Sequence, residues 1–219
     1  MDLVIATVGL VVTLPVMTLI AVAIRLTSPG QILYRGTRAG LMGAPFQMLK
    51  FRTMVPDAEN LGGSVTSADD ERITEIGAFL RRYKLDELPQ LINVIKGEMS
   101  IVGPRPEVFH YVNEYSEHDR RVLSVIPGLT DWASLWDIDE GHSLKGCANP
   151  DEVYAQQILP MKLALQNYYL DHRSVMEDLR IIFYTIIRIM RSDYVPQRLR
   201  DVMNAAAKLP TLNYEVIKK

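Results

Sequence analysis

The sequence has a single cysteine, Cys147, so no internal disulfide can form, which fits a reducing compartment. It also lacks a surplus of positive charge. Its 24 lysines and arginines stand against 26 aspartates and glutamates, a formal net charge of −2. That balance excludes the basic footprint expected of a nucleic-acid binder. The four histidines and Cys147 show no zinc-ligand spacing, and His142 and Cys147 read as loop residues rather than a metal pair. No internal repeat or low-complexity stretch is visible. At 219 residues the chain reads as one domain with room for a small appendage.

Charge is missing altogether from Leu3 to Ile24, 22 residues closed by Arg25. As one helix this run would be about 33 Å long, enough to cross the apolar core of a bilayer. Ala21-Val22-Ala23 resembles a signal-peptide cleavage site, but no lysine or arginine precedes the run. As a spanning helix followed by Arg25, Arg35 and Arg38, it would leave the rest of the chain in the cytoplasm. Pro15 allows a third geometry. It removes one helical hydrogen bond, frees the Val11 carbonyl for Thr13 or Thr18, and kinks the helix at mid-depth. A kinked segment can enter and leave on one face, and the residues alone leave these readings open.

What the chain does have is concentrated between residues 84 and 106. Asp86 and Glu87 are adjacent carboxylates just before Pro89, a residue that favours the first turn of a helix. Leu88, Leu91, Ile92 and Ile95 recur at helical spacing, so a short buried helix is expected to start here. Its N-terminal dipole and unpaired N–H groups would keep a neighbouring carboxylate ionised, as a nucleophile requires. After Gly97 a strand is expected, then Gly103-Pro104-Arg105-Pro106. Two prolines stiffen the backbone around one arginine, and a guanidinium so held suits bidentate grip of phosphate. Taken singly, an acidic pair before a helix is also an ordinary cap, and a Pro-Arg-Pro segment an ordinary rigid loop.

The run as a whole resembles the signature block of the bacterial sugar transferases, the monotopic phosphoglycosyl transferases that act on polyprenol phosphate. The matching residues are Leu85-Asp86-Glu87-Leu88-Pro89-Gln90-Leu91, Asn93-Val94, Lys96-Gly97-Glu98-Met99-Ser100 and Val102-Gly103-Pro104-Arg105-Pro106. Tyr34-Arg35, Arg38, Gly40, Gly43, Phe46 and Lys50-Phe51-Arg52-Thr53-Met54 resemble it again, as do Tyr168-Tyr169, Ser174 and Asp178-Leu179. Four departures stand out. Gly36 replaces a usual glutamine, Leu14 a usual serine, Met1-Asp2 a basic pair (which reads as a truncated start), and Ile138 an arginine that helps hold the nucleotide-sugar.

The resemblance implies a helix-dominated α+β fold. Residues 1–26 would form a re-entrant membrane anchor broken at Pro15. Residues 27–195 would form a cytoplasmic catalytic domain with short strands and an interface helix at 175–191, and 196–219 a tail. It implies that Asp86 attacks the sugar-linked phosphorus of a UDP-sugar, releases UMP and passes the sugar-1-phosphate to polyprenol (undecaprenyl) phosphate. Mg²⁺ would be held at Asp86 and Glu87, and Arg81 and Arg105 would meet phosphate. Lys50, Arg52 and Arg38 would contact substrate or, as readily, lipid headgroups. The product would open a surface glycan (exopolysaccharide, capsule, O-antigen or glycoprotein glycan), made at the bacterial inner membrane. Downstream glycosyltransferases would be partners.

Elsewhere, 32–34 and 46–51 read as strands around a turn at 40–45, 56–70 as a mobile polar loop, 71–82 as a helix and 108–123 as a charged helix. Trp132 reads as core packing, Trp136 as core or interfacial anchor. Ser174 and Glu177 form a capping box for 175–191, with Arg180, Arg188 and Arg191 on its surface. Two other functions stay in view. Asp137-Ile138-Asp139 resembles the acidic pair of metal-dependent glycosyltransferases, although no nucleotide-binding parallel sheet precedes it. A non-catalytic relative is the other.

Overall fold

The computed structural model describes residues 1–63, 65–191 and 193–207, with Glu59 by its backbone alone. Its elements in order are α1 (Asp2–Thr27), β1 (Leu33–Ala39), β2 (Pro45–Phe51), α2 (Ala58–Leu61), α3 (Glu75–Arg82), α4 (Gln90–Ile95), β3 (Ser100–Val102), α5 (Phe109–Val112), β4 (Gly128–Thr130), α6 (Trp132–Trp136), α7 (Glu140–Ser143), α8 (Pro150–Val153), α9 (Leu159–His172), α10 (Val175–Met190) and α11 (Gln197–Ala206). The fold is α+β and dominated by helices.

α1 is helical through Pro15 and is long and apolar enough to cross a membrane. Ala6, Met17, Ile20 and Ile24 form a buried stripe along it, while Val4, Val8, Val12 and Leu19 on other faces are exposed. Ala6 joins the main core with Leu91, Trp132 and Leu165. Met17, Ile20 and Ile24 pack on Phe51 and Leu80. Thr13 donates to the Gly9 carbonyl at 2.7 Å and Thr18 to that of Leu14 at 2.9 Å, so neither takes up the Val11 carbonyl as expected. Each hydroxyl reaches back four residues, the geometry available inside a continuous helix.

β1 and β2 pair antiparallel across the expected turn, Leu33 opposite Phe51 and Ala39 opposite Pro45. β3 and β4 pair in parallel, Ser100 opposite Gly128 and Val102 opposite Thr130. Gly103, just after β3, and Gly128, which opens β4, lie backbone to backbone; a Cβ on Gly128 would fall 2.1 Å from the Gly103 nitrogen. Asn93 links α4 to β2 as if it were a strand residue. Its Oδ1 accepts from Leu49 N–H at 3.0 Å and its Nδ2 donates to the Gln47 carbonyl at 2.8 Å.

Four expectations need correction. The span 108–123 is not one helix: α5 ends at Val112, and a 3₁₀ turn covers Asp119–Ser124. Ser116 Oγ accepts from Asp119 N–H, a local bond that competes with the helical ladder. Residues 197–206 are helix rather than tail, with Leu199, Val202 and Ala206 buried in the main core. Arg188 is buried, donating to the carbonyls of Leu135 and Tyr194, instead of sitting on the surface of α10. Ser174 caps α10, but Glu177 completes no box, because its carboxylate is drawn to Arg180 and Arg198. Lys208, Lys218 and Lys219 lie outside the described residues. The 56–70 segment is fastened by Arg72, which pairs with Asp70 at 2.7 Å and donates to the Ala58 carbonyl.

Asn93→Leu keeps the branching but orphans the Leu49 N–H and the Gln47 carbonyl and adds bulk. It is expected to lower stability by about 2–4 kcal/mol, read as a drop in thermal midpoint of the protein in lipid nanodiscs.

Candidate active site

Asp86 and Glu87 sit in a 3₁₀ turn, Leu85–Glu87, that leads into α4. Lys84, just before it, is one of three non-glycine residues with positive φ among the described residues, at 55°. A left-handed lysine is strained, and the turn it makes aims successive side chains differently. Asp86 is buried, and its Oδ1 has no hydrogen-bond partner among the described residues. Glu87 is held from two sides. Lys50 Nζ of β2 lies 2.8 Å from its Oε1, and Arg105 bonds both carboxylate oxygens, the Oε2 contact at 3.2 Å.

Arg105 is placed by more than its flanking prolines. Asp131, fully buried, accepts from the Arg105 N–H at 3.3 Å and from Gln166 Nε2 at 3.1 Å, while its Oδ1 caps α6 through Ser134 N–H at 2.6 Å. Sequence reasoning did not single out Asp131. The signal was there, an aspartate before an apolar helix with a serine three residues on. Arg81, at the end of α3, donates from Nε to Thr53 Oγ1 at 2.9 Å. α3 approaches that segment closely because residue 77 is glycine: a Cβ there would meet the Thr53 carbonyl oxygen at 1.9 Å.

Electrostatics here run against the dipole expectation. Burial pushes the Asp86 carboxyl above its ordinary value, with the Glu87 charge adding to the rise and Lys50, Lys84 and Arg81 opposing it. α4 has six residues, so its dipole is small beside desolvation. Glu87, equally enclosed, is held well below the ordinary carboxylate value by Arg105, Lys50 and Lys84. Lys50 is lowered by burial despite Glu87.

The residues expected to bind substrate all line one cleft, with their side chains engaged differently. Asp86, Glu87, Lys50, Arg105 and Arg81 line one cleft of about 1990 Å³. Arg38 lines it too, on β1, and donates to its neighbour's carbonyl at Thr37. Arg52 is also on the wall, but its guanidinium is bonded to the carbonyls of Ser28 and Pro29, securing the chain just past α1. The far wall carries Asp137, Glu140, Lys162 and Tyr154. Lys162 bonds Glu140, and its Nζ lies 4.8 Å from the Tyr154 ring centre. Asp137 accepts from Ser143 at 2.8 Å and Asp139 pairs with His142 at 2.8 Å, so the two aspartates have separate partners. No group of three His, Cys, Asp or Glu among the described residues could hold a metal unaided.

Asp86→Asn is expected to raise the thermal midpoint at pH 7 by about 2–4 °C, the size of a ~1 kcal/mol gain in such a chain. Because the folded value of Asp86 is raised, wild type loses stability as pH climbs through it, so the gain should vanish below pH 4. Glu87→Gln should do the opposite, costing about 3 kcal/mol near neutrality by leaving two cations unpaired. Glu87 is depressed, so that loss should shrink only as pH falls below about 4.5. Thermal unfolding of both variants and of wild type from about pH 3 to 8 checks the pair.

A family model described as bacterial sugar transferase matches residues 1–192. The UDP-glucose:undecaprenyl-phosphate glucose-1-phosphate transferase of Caulobacter vibrioides is 38% identical over 183 residues, covering 82% of this chain and 64% of that protein. The protein of the same name from Escherichia coli is 35% identical over 190 residues, 85% of this chain and 39% of its own length. The UDP-N-acetylgalactosamine-undecaprenyl-phosphate N-acetylgalactosaminephosphotransferase of Aeromonas hydrophila is 32% identical over 196 residues, 87% and 41%. The chain thus spans between 39% and 64% of these relatives' lengths. With the match running over 1–192, helix-dominated fold and acidic centre included, the chain belongs to the bacterial sugar transferase family.

Proposed function

We propose that this chain transfers a sugar-1-phosphate from a UDP-sugar to undecaprenyl phosphate in two steps, with Asp86 as the nucleophile. The observation that carries the reading is a buried carboxylate with one unpartnered oxygen, on the wall of a large cleft, beside cations from three segments of the chain. The relatives' names, which specify sugar-phosphate transfer to undecaprenyl phosphate, supply the substrates.

In the first step an Asp86 oxygen attacks the sugar-linked phosphorus, the bond from that phosphorus to the bridging oxygen breaks, and UMP leaves. The acyl phosphate now holds the phosphosugar. In the second step an oxygen of the acceptor phosphate attacks the same phosphorus and the bond to Asp86 breaks. The product is a polyprenyl-diphosphate sugar, and the carboxylate returns. Arg105 and Lys50 stabilise charge on the transferring group. Glu87 orients these two cations, a positioning role that its two ion pairs support over proton transfer.

Mg²⁺ fits Asp86, whose buried and unpaired Oδ1 is a hard donor of the kind such an ion takes. Glu87 fits less well, since Lys50 and Arg105 already occupy its oxygens. When bound, the ion supplies neutralisation of the diphosphate charge.

α1 anchors the chain at a bacterial membrane, with the cleft on the cytoplasmic side. Both halves of α1 pack on the same body, through Ala6 and again through Met17, Ile20 and Ile24. That supports an anchor lying within one leaflet, since a crossing helix would pull one half away.

Incubated with a UDP-sugar and Mg²⁺ but no lipid, the protein is expected to release one UMP and gain the mass of a phosphosugar on Asp86, seen by intact-mass spectrometry. Release of UDP instead would favour the glycosyltransferase reading through Asp137 and Asp139. Asp86→Asn should lose the adduct and at least 10³-fold of turnover, an order expected on removing a nucleophile. Because burial raises the Asp86 value, UMP release should fall off on an acid limb lying above the pH at which an exposed aspartate titrates. A rate flat down to pH 4 would remove Asp86 from the first step.

A further inference from the structure

The cleft does not stop at the charged cluster. It runs on between α1 and α10, where Ile5 and Gly9 form one wall, Ile182 and Ile186 the other, and Ile101 and Leu129 the floor. The two helices are pinned to neighbouring strands of one small sheet. Asp2 of α1 accepts from Ser100 of β3 at 2.7 Å, and Thr185 of α10 shares a 2.7 Å hydrogen bond with Thr130 of β4. This spacing holds a slot open instead of letting the helices close on each other. Glycine at position 9 leaves room beside Leu91, another lining residue: a Cβ there would sit 3.4 Å from Leu91 Cδ1, ordinary contact, and a larger side chain would crowd Leu91 and the cleft wall the two residues share. The outer faces of both helices are apolar and exposed, with Val4, Val8 and Val12 on α1 and Leu179, Phe183 and Met190 on α10.

We infer that the slot between α1 and α10 seats the first isoprene units of the lipid acceptor, with its phosphate at Arg105 and Lys50. This rests on the transfer reaction proposed above. Ile182 to Ile189 spans seven residues of helix, about 10 Å, which accommodates about two isoprene units. The slot's chemistry favours a prenyl phosphate over a glycerophospholipid. In the former, hydrocarbon begins one oxygen away from phosphate; in the latter, glycerol esters come between. Ester carbonyls in this slot would be desolvated without donors, because the nearby threonine hydroxyls bond each other and the Ile181 carbonyl.

The test separates the two half-reactions in the full chain held in nanodiscs. With Gly9→Leu and with Ile186→Trp, discharge of the phosphosugar adduct to a long prenyl phosphate should slow at least tenfold more than adduct formation does. Gly9→Ala, whose Cβ fits, should discharge within about threefold of wild type. Wild type should discharge to a four-isoprene phosphate far faster than to octyl phosphate. Equal discharge to both, or no selective slowing in either bulky variant, overturns the slot. A second measurement needs no turnover. A diazirine-bearing prenyl phosphate, photolysed on Asp86→Asn protein, should label peptides of α1 and α10, and farnesyl phosphate should compete while phosphatidic acid does not. Labelling elsewhere, or equal competition by phosphatidic acid, makes the slot an ordinary lipid seat and sinks the inference. Selective labelling in a protein whose wild type forms no adduct would keep the slot and discard the covalent chemistry.

Discussion

Glu87 is the point at which the active region is tied together. Lys50 comes from β2, Arg105 from the loop after β3, and Glu87 from the turn before α4, so one carboxylate joins three stretches far apart in sequence. Burying two cations and one anion is costly unless they satisfy one another, and leaving any one alone is worse. Two consequences follow for Asp86 next door. The local cations are already drawn toward Glu87, so Asp86 keeps a free oxygen; and the enclosure that shields the clamp also desolvates Asp86. A carboxylate short of partners and of water is one that gains by bonding an incoming phosphorus or divalent ion. The turn itself is built with a left-handed Lys84, backbone strain that the surrounding packing must hold in place.

The same arrangement explains how far the sequence could be read. The β1–β2 hairpin, α3 and α10 follow from patterns contained within each segment, and so does the turn–helix–strand run around Asp86. The parallel pairing of β3 with β4 does not. Each strand has three residues and their register depends on Gly103 and Gly128 meeting without side chains, which no local periodicity encodes. α11 was legible in principle. Leu199, Val202 and Ala206 repeat at helical spacing, but Arg198, Arg200 and Asp201 among ten residues mask them as a polar tail. The upward pull on Asp86 is hidden from the sequence for a different reason. The dipole of a helix N-terminus is visible in sequence, whereas burial is a property of the assembled fold and the larger effect here.

The buried face of α4 carries the same lesson. The apolar spacing put Ile95 in the core, yet it is exposed, while the polar Gln90 and Asn93 are fully enclosed. Asn93 lies inward because β2 has an open edge at Gln47 and Leu49, and an amide side chain matches a strand's alternating donor and acceptor. That bond places β2, and β2 places Lys50 on Glu87. An asparagine that sequence patterning treats as a solvent residue is thus one contact away from the charge clamp.

The departures from the family pattern can be weighed by what surrounds them. At Gly36 a Cβ would fall 2.8 Å from the Tyr34 ring and 3.0 Å from the Arg38 guanidinium, so a glutamine could enter only if those two side chains moved. Their present positions and the glycine are one choice. Ile138 brings no cation to the cleft wall, but the wall is not without one. Lys162 reaches it from α9, bonded to Glu140, and Lys84 lies within electrostatic range of Asp137 and Glu140 while forming no ion pair among the described residues. A point charge on a flexible stem grips phosphate less specifically than a guanidinium fork. Lysines set on other elements therefore keep the sign of the field in the cleft and relax its geometry, which under the proposed transfer would leave the orienting of an anionic donor to Arg105 and the buried Asp131 that holds its backbone.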